Sequence, residues 1–303
     1  MAAGIITSGS FPKALWPGVK KWYGMAYEDY PVQYDKLFDK STSDRAWEEI
    51  VGTSGLGLAV VKSEGAPVTY DSEQQGFTSR FQHVNYALGF IITQEMMDDD
   101  QYMIVGERRS KGLARGMRQT KEINGANVYN RAFNTSYTGG DGKAMIVSDH
   151  PNVAGGTWSN VIGTAADLSE ASLEQAVIDI QGFTDDRGLL IAVTPKSLII
   201  PRQLTFEAQR ILKADGRVGT DNNDPNVLKM LGSIPEVVVN QFLTDSDAWF
   251  IRTSVEGLHY FERKADSFAQ DNDFDTENAK FKASGRYSFG WSDPRSVYGS
   301  AGA

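Results

Sequence analysis

The chain has 303 residues with 30 Lys plus Arg against 39 Asp plus Glu, a formal net charge of -9, and no cysteine. That length supplies one large or two ordinary domains, while the acid excess argues against phosphate binding across the whole surface, which needs clustered Lys and Arg. The missing cysteine removes disulfides, thiolate nucleophiles and Cys-ligated zinc together, and with neither a bilayer-length apolar run nor the apolar centre of a signal peptide the chain is expected to be made in the cytoplasm.

The first 45 residues carry Trp16, Trp22, Tyr23, Tyr27, Tyr30, Tyr34 and Phe38 among polar residues, and Pro12, Pro17 and Pro31 are expected to interrupt any long regular element. Aromatics on such an arm must be buried somewhere, on a neighbouring surface or on the chain's own domain. From about Val60 to Ile92 polar and apolar residues alternate, with Val68, Tyr70, Phe77, Phe81, Val84 and Tyr86 on the apolar beat. Asp71 to Gly76 supplies turn chemistry in the middle, so the segment reads as two strands joined by a polar tip. Thr93 can cap the element after it.

Between about Met97 and Phe133 the pattern turns helical. At about 100° per residue, Tyr102, Val105, Leu113, Met117, Ile123 and Val128 share one apolar arc, while Glu107, Lys111, Arg115, Arg118 and Glu122 fall opposite. This predicts about ten turns, roughly 50 Å long, with protein on the first side and water on the second. Asp98, Asp99 and Asp100 suit the N-terminus of such a helix and Arg131 its other end. Gly112 and Gly116 lie on the apolar arc, and because each costs roughly 1 kcal/mol relative to Ala they are expected to mark close approach of another backbone. A protruding hairpin running into a long, mostly polar helix suits a subunit that grips its neighbours.

Thr138 to Gly142 and Pro151 to Gly156 read as glycine-rich loops. From Leu168 the texture becomes α/β. Ser169 can cap a helix with Leu173, Ala176, Val177 and Ile180 at helical spacing, ending near Gly182. Leu189 to Val193 and Leu198 to Ile200 read as buried strands, Leu204, Ala208, Ile211 and Leu212 as a second helix closed by Gly216. Val237 to Val239 and Trp249 to Ile251 add strands separated by the acidic turn Thr244 to Asp247. Tyr287, Phe289 and Trp291 at period two give a late strand with one aromatic face, which would return to a sheet shared with the region after the long helix.

Motifs for chemistry fail one by one. Gly142-Lys143 lacks the phosphate-loop glycine, whose place is Tyr137, and the hydroxyl, whose place is Ala144. Asp271, Asp273 and Asp275 imitate half a calcium loop, but Thr276 and Lys282 stand where Gly and Glu are needed. The glycines from Gly52 to Gly57 miss the dinucleotide fingerprint at Val60. His83, His150 and His259 have no metal-ligand spacing, and Asp149-His150, the sole local acid-imidazole pair, has no serine elbow to use it.

Seven strings, taken in order, carry a resemblance instead. They are EGAPVTYDSEQQGFTSRFQHVNYALGFIITQEMMDDD from Glu64 to Asp100, SDHP at Ser148, LSEASLEQA at Leu168, PKSLIIP at Pro195, GTDNNDPN at Gly219, LTDSDAWFI at Leu243 and DFDTENAKFKASGRYSFGWSDPRSVYGS from Asp273. Together they resemble tailed-phage major capsid proteins over nearly the whole chain.

The resemblance implies an α+β Hong Kong 97-like shell fold. Its parts would be an N-terminal arm over 1–50, an extended β-hairpin loop over 51–95 and a peripheral domain with a spine helix over 96–164. An inserted axial α/β domain over 165–255 and a return to the peripheral sheet over 256–303 would complete the chain. It also implies a non-enzymatic major capsid protein, without cofactor or metal, that self-assembles into hexamers and pentamers. These would form the icosahedral virion shell around double-stranded DNA, built in the host bacterial cytoplasm. The arm starts within the first residues, so a separate scaffolding protein is expected. Portal and decoration proteins are further candidate partners, DNA would be held without strong or specific binding, and no membrane is involved. If loop and helix overlap neighbours, the interface would include Tyr70, Asp71, Glu73, Gln75, Phe77, Arg108, Lys111, Arg118, Asp245 and Asp247. The alternatives are an encapsulin-like compartment of the same fold and, from another class, a soluble α/β hydrolase or transferase, for which the sequence offers no convergent polar pocket.

Overall fold

The computed structural model describes residues 12–93, 95–96, 102–216, 224–272 and 278–303. The arm opens with a helix, α1 (Pro12–Glu28), that continues through Pro17. A proline in a helix interior costs about 3 kcal/mol. Here that cost is offset further along, where Val19, Tyr23 and Ala26 are buried. Three of the arm's aromatics are therefore covered by the chain itself: Tyr23 packs with Leu113, Met117 and Ala283, and Tyr34 and Phe38 enter the central core. Strands β1 (Asp39–Thr42) and β2 (Trp47–Thr53) come next.

The expected hairpin exists, but with other limbs. β2 pairs antiparallel with β3 (Gln75–Gln82), and residues 54–74 form the excursion between them. Asp71 to Gly76 is not the tip. Gln75 and Gly76 already lie in β3, and the Asp71 carboxylate accepts a bond from the Gly57 amide at 2.7 Å near the base of the excursion. Turn-forming residue types are also good hydrogen-bond acceptors, and here the second property prevails.

β4 (Val84–Ile92) leaves the hairpin and becomes the edge of a long sheet ordered β1-β10-β11-β4, in which β10 is Leu258–Asn272 and β11 is Ala279–Trp291. The aromatic strand thus shares its sheet with β1 and β4, which precede the long helix, and with β10, while among the described residues the stretch directly after that helix adds no strand to it. Along β11, Phe281, Ala283 and Tyr287 are buried while Lys280 and Lys282 face outward, the period of two expected of a half-covered strand.

The buried face is covered by α1 and by the long helix α2 (Tyr102–Asn130), whose 29 residues span about 44 Å. Thr93 accepts the Met96 amide at 3.4 Å, as a cap would, while Asp98 to Asp100 lie outside the described residues. The orientation of α2 differs from the apolar arc. Leu113 and Met117 are buried, but so are Arg118, Lys121 and Glu122, and Ile123 is 46% exposed. The reason is a set of partners invisible to a hydrophobic pattern: carboxylates on β10 and backbone groups of the arm accept and donate to these charges. Gly112 faces open space, and a Cβ on Gly116 would meet the Leu88 side chain at 3.0 Å rather than another backbone.

Two short strands, β5 (His150–Pro151) and β6 (Thr157–Trp158), pair with each other. The second sheet is ordered β12-β9-β7-β8, from β7 (Pro195–Pro201), β8 (Glu236–Asn240), β9 (Trp249–Thr253) and β12 (Val297–Ser300). Ser169 caps α3 (Glu170–Gln181), its hydroxyl accepting the Ser172 amide, and Gly182 closes the helix. α4 (Thr205–Lys213) and the short α5 (Val227–Leu231) complete this unit. Leu189 to Val193 is not a strand. One bridge, Thr184 to Leu190, is all it forms, and Leu190 is exposed. The span 256–303 divides, with β10 and β11 in the long sheet and β12 at the edge of the second. A core shared by Tyr34, Tyr129, Met145, Phe250 and Tyr260 ties the two sheets together.

Candidate assembly surfaces

Two stretches of the chain stand out for what covers them. The first is the excursion 54–74, where Leu58, Val61 and Tyr70 are 79%, 97% and 93% exposed. Its base is well defined. Ser54 donates its amide to the Gln74 carbonyl at 3.0 Å, Gln74 returns a bond to the Ser54 hydroxyl at 3.0 Å, and β2 and β3 approach closely where Gly52 faces Gly76. Beyond this, Arg187 of the α/β unit reaches over: its Nη1 lies 2.6 Å from Asp71 Oδ2, and Nη2 donates to the Ser72 carbonyl. Amide bonds from Gly57 and Ser72, and then the Arg187 guanidinium, hold the Asp71 carboxyl below the usual carboxylate range. The excursion is thus clipped at its root and left uncovered beyond it.

The second stretch is the seam between α1, α2 and β10. Lys121 Nζ sits 3.1 Å from Asp266 Oδ2 and 3.6 Å from Glu262 Oε1. Arg118 donates to the Tyr27 carbonyl at 3.1 Å and lies over the Tyr27 ring at 4.0 Å. Glu122 accepts the amides of Gln33 and Tyr34 at 2.9 and 3.0 Å, fixing the turn where the arm leaves α1. Burial pushes the Glu122 carboxyl up, and those two bonds only partly oppose it. This seam holds the arm in place; it offers nothing to a neighbour.

Among the expected interface residues, Tyr70, Asp71, Glu73, Gln75 and Phe77 lie exposed on the excursion and β3, and Arg108 and Lys111 lie on the outer face of α2, the latter 2.7 Å from Glu107. Arg118 does not belong with them, because α1 covers it. Asp245 and Asp247 sit in the exposed turn before β9, where Asp245 Oδ1 accepts the amides of Asp247 and Ala248. Sequence reasoning missed Arg187, whose role depends on a partner over a hundred residues away, and missed Phe206, Met230 and Leu231, exposed together at the α4 and α5 end of the α/β unit. Phe206 falls off the helical spacing of Leu204, Ala208, Ile211 and Leu212, a signal that was available. A groove of about 530 Å³ between the C-terminal half of α2 and β4 and β11 is lined by Val84, Tyr86, Asn124, Val128, Arg131 and Tyr137.

His83 and His150 lie inside, and His259 is half-buried. His150 pairs with Asp141 at 2.6 Å, not with its neighbour Asp149, which bonds Lys143 instead. His83 lies between the hydroxyls of Ser43 and Ser288, each at 3.0 Å, and burial pushes its pKa down. Among the described residues no group of three or more His, Cys, Asp or Glu could hold a metal ion, and no helix is long and apolar enough to cross a membrane.

A family model described as phage capsid protein matches residues 76–300. A search of curated proteins gives no sequence match. Solved structures similar in fold include one described as Microbacterium phage Oxtober96, at 11% identity over 90% of this chain and 93% of that one, with a TM-score of 0.53. The procapsid of bacteriophage JBD30 aligns at 14% identity over 97% of this chain and 76% of its own, with a TM-score of 0.55. A virus-like particle from Pyrococcus furiosus aligns at 9% identity over 93% and 97%, with a TM-score of 0.51. At these identities the likeness is one of fold.

Proposed function

The chain belongs to the family of phage capsid proteins, and from that premise we propose how this shell-forming structural protein builds its container. The excursion 54–74 of one subunit lies over the next, burying Leu58, Val61 and Tyr70, which no described residue of its own chain covers. That exposure is the observation that carries the reading. Around it, Asp71, Glu73, Gln75 and Phe77 meet the neighbour's surface, with Arg108, Lys111, Asp245 and Asp247 as further contacts. Arg118 serves indirectly, by holding the arm.

Repetition makes the shell stable. Each contact can be weak, because closure into hexamers and pentamers engages many at once. The net charge of -9 suits a container that encloses double-stranded DNA without gripping it. Assembly in the host cytoplasm with a separate scaffolding protein, and addition of portal and decoration proteins, complete the proposed route to the virion.

Light scattering and negative-stain electron microscopy test the reading. The purified protein, with and without a co-expressed scaffold, is expected to form capsomers or shells at high concentration. Deleting residues 58–69, outside the Gly57–Asp71 bond, is expected to leave a folded subunit that closes no shells. A strictly monomeric species across salt and concentration would overturn the proposal, and a cargo enzyme in place of DNA within the particles would favour a cellular compartment.

A further inference from the structure

We propose that Lys121 and Asp266 condense into an internal amide bond that ties α2 to β10, with Glu262 as the proton acceptor. The bond would lie within one subunit, so the inference does not depend on how subunits meet.

The groups are in place. The Lys121 side chain is 2% exposed and that of Asp266 3%, with Nζ 3.1 Å from Oδ2. Glu262 Oε1 stands 3.6 Å from the same nitrogen. The rings of Tyr260 and Tyr287 flank the amine with centroids 5.9 and 5.1 Å away, and the Tyr27 hydroxyl donates to Asp266 Oδ2. Burial keeps bulk water from the reacting pair.

The site is also built, in the sense that the backbone is shaped around Asp266. The β10–β11 ladder slips between Lys264 and Ser267, which turns Asp266 toward the helix. Across the ladder stands Gly285, where a Cβ would collide with Asp266 Oδ1. That oxygen is buried without a hydrogen-bond partner, whereas Oδ2 is bonded. Oδ2 is therefore the oxygen that proton donors reach, and Oδ1 the one that stays as the carbonyl.

The chemistry balances without any added reagent. The Lys121 ammonium gives one proton to Asp266 Oδ2, 3.1 Å away, leaving an amine and a carboxylic acid. The amine lone pair attacks Cγ, the C–N bond forms, and the carbonyl electrons move to Oδ1. Glu262 takes the second proton from the nitrogen, the Tyr27 hydroxyl gives its own proton to the Oδ2 hydroxyl, which departs as water while the carbonyl re-forms at Oδ1, and the proton on Glu262 restores the Tyr27 hydroxyl. One C–N bond is made, one C–O bond is broken and one water is released. Fixing amine and acid in contact supplies the high effective concentration that such a condensation needs. Burial raises the Glu262 carboxyl, but the Tyr260 hydroxyl and the charges of Lys121 and Lys40 prevail and hold it below the usual range, so it is ionised and able to accept.

Intact-mass spectrometry of the full chain, purified folded and then denatured, is the test. The expected mass falls short of the sequence by one water, and digestion yields a branched peptide joining the Lys121 and Asp266 segments. Lys121→Arg keeps the charge and is expected to show no deficit. Asp266→Asn is expected to lose one ammonia instead of one water, and Glu262→Gln to acquire its deficit more slowly after refolding. A wild-type chain at full sequence mass, both as free subunit and in particles, would overturn the proposal, as would a deficit that persists in Lys121→Arg. A deficit that forms equally fast in Glu262→Gln would remove Glu262 from its role.

Discussion

Beneath α1 the chain buries Arg118, Lys121 and Glu122, while in the excursion 54–74 it leaves Leu58, Val61 and Tyr70 in water. Each region departs from the usual sorting of residues, in opposite directions. The buried charges have all their partners within the chain: Lys121 has Asp266 and Glu262, Arg118 has Tyr27, and Glu122 has two arm amides. The exposed apolar side chains have none among the described residues. A departure that is satisfied internally serves the subunit's own stability, whereas one left unsatisfied points to a second molecule.

The sharpest way to break the comparison is to unpair the seam. Lys121→Met removes the amine that ties Asp266 and Glu262 to α2, and the unassembled subunit is expected to lose about 3 to 5 kcal/mol, the cost of breaking a buried pair. The midpoint of urea unfolding reads this directly. Next in size is Glu122→Ala, which strands the amides of Gln33 and Tyr34 and is expected to cost about 2 to 3 kcal/mol. Limited proteolysis between α1 and β1 should accelerate in the same variant.

A smaller effect concerns pH. The Glu122 carboxyl is raised in the folded state, so the native chain holds that proton more tightly than the unfolded chain does. Its contribution to stability is therefore complete below the ordinary glutamate range and is lost as pH rises through the raised value. Glu122→Gln is expected to flatten this part of the stability profile, at a cost of about 1 kcal/mol or less near neutrality. Thermal unfolding across the acidic range measures both. The smallest stability change is expected in the excursion. Val61→Ser combined with Tyr70→Ser should move the subunit's unfolding free energy by about 0.5 kcal/mol or less, yet abolish closed particles in electron micrographs.

The same contrast explains what the sequence revealed. The α3 helix was legible from end to end because Ser169 and Gly182 act through bonds within a few residues. The aromatic face of β11 followed from its period of two. The face of α2 was not legible, since Arg118 and Glu122 read as solvent-facing until Tyr27 and the arm turn are brought to them by tertiary structure. Asp71 failed for a related reason: its turn propensity is real, but its carboxylate is used by Gly57 and by Arg187. Leu189 to Val193 looked like a strand because it is apolar, and lacks the neighbouring strand that would make it one. The exposed side chains at 58, 61 and 70 were visible as apolar residues, but their being uncovered is a property of the folded chain.

Amide hydrogen exchange on the free subunit and on assembled particles tests the central claim most directly. Residues 54–74 are expected to exchange fast in the subunit and slowly in the particle, while the α1–α2 seam is protected equally in both. Exchange in 54–74 that is unchanged by assembly, or a seam that gains its protection only in the particle, would contradict the account.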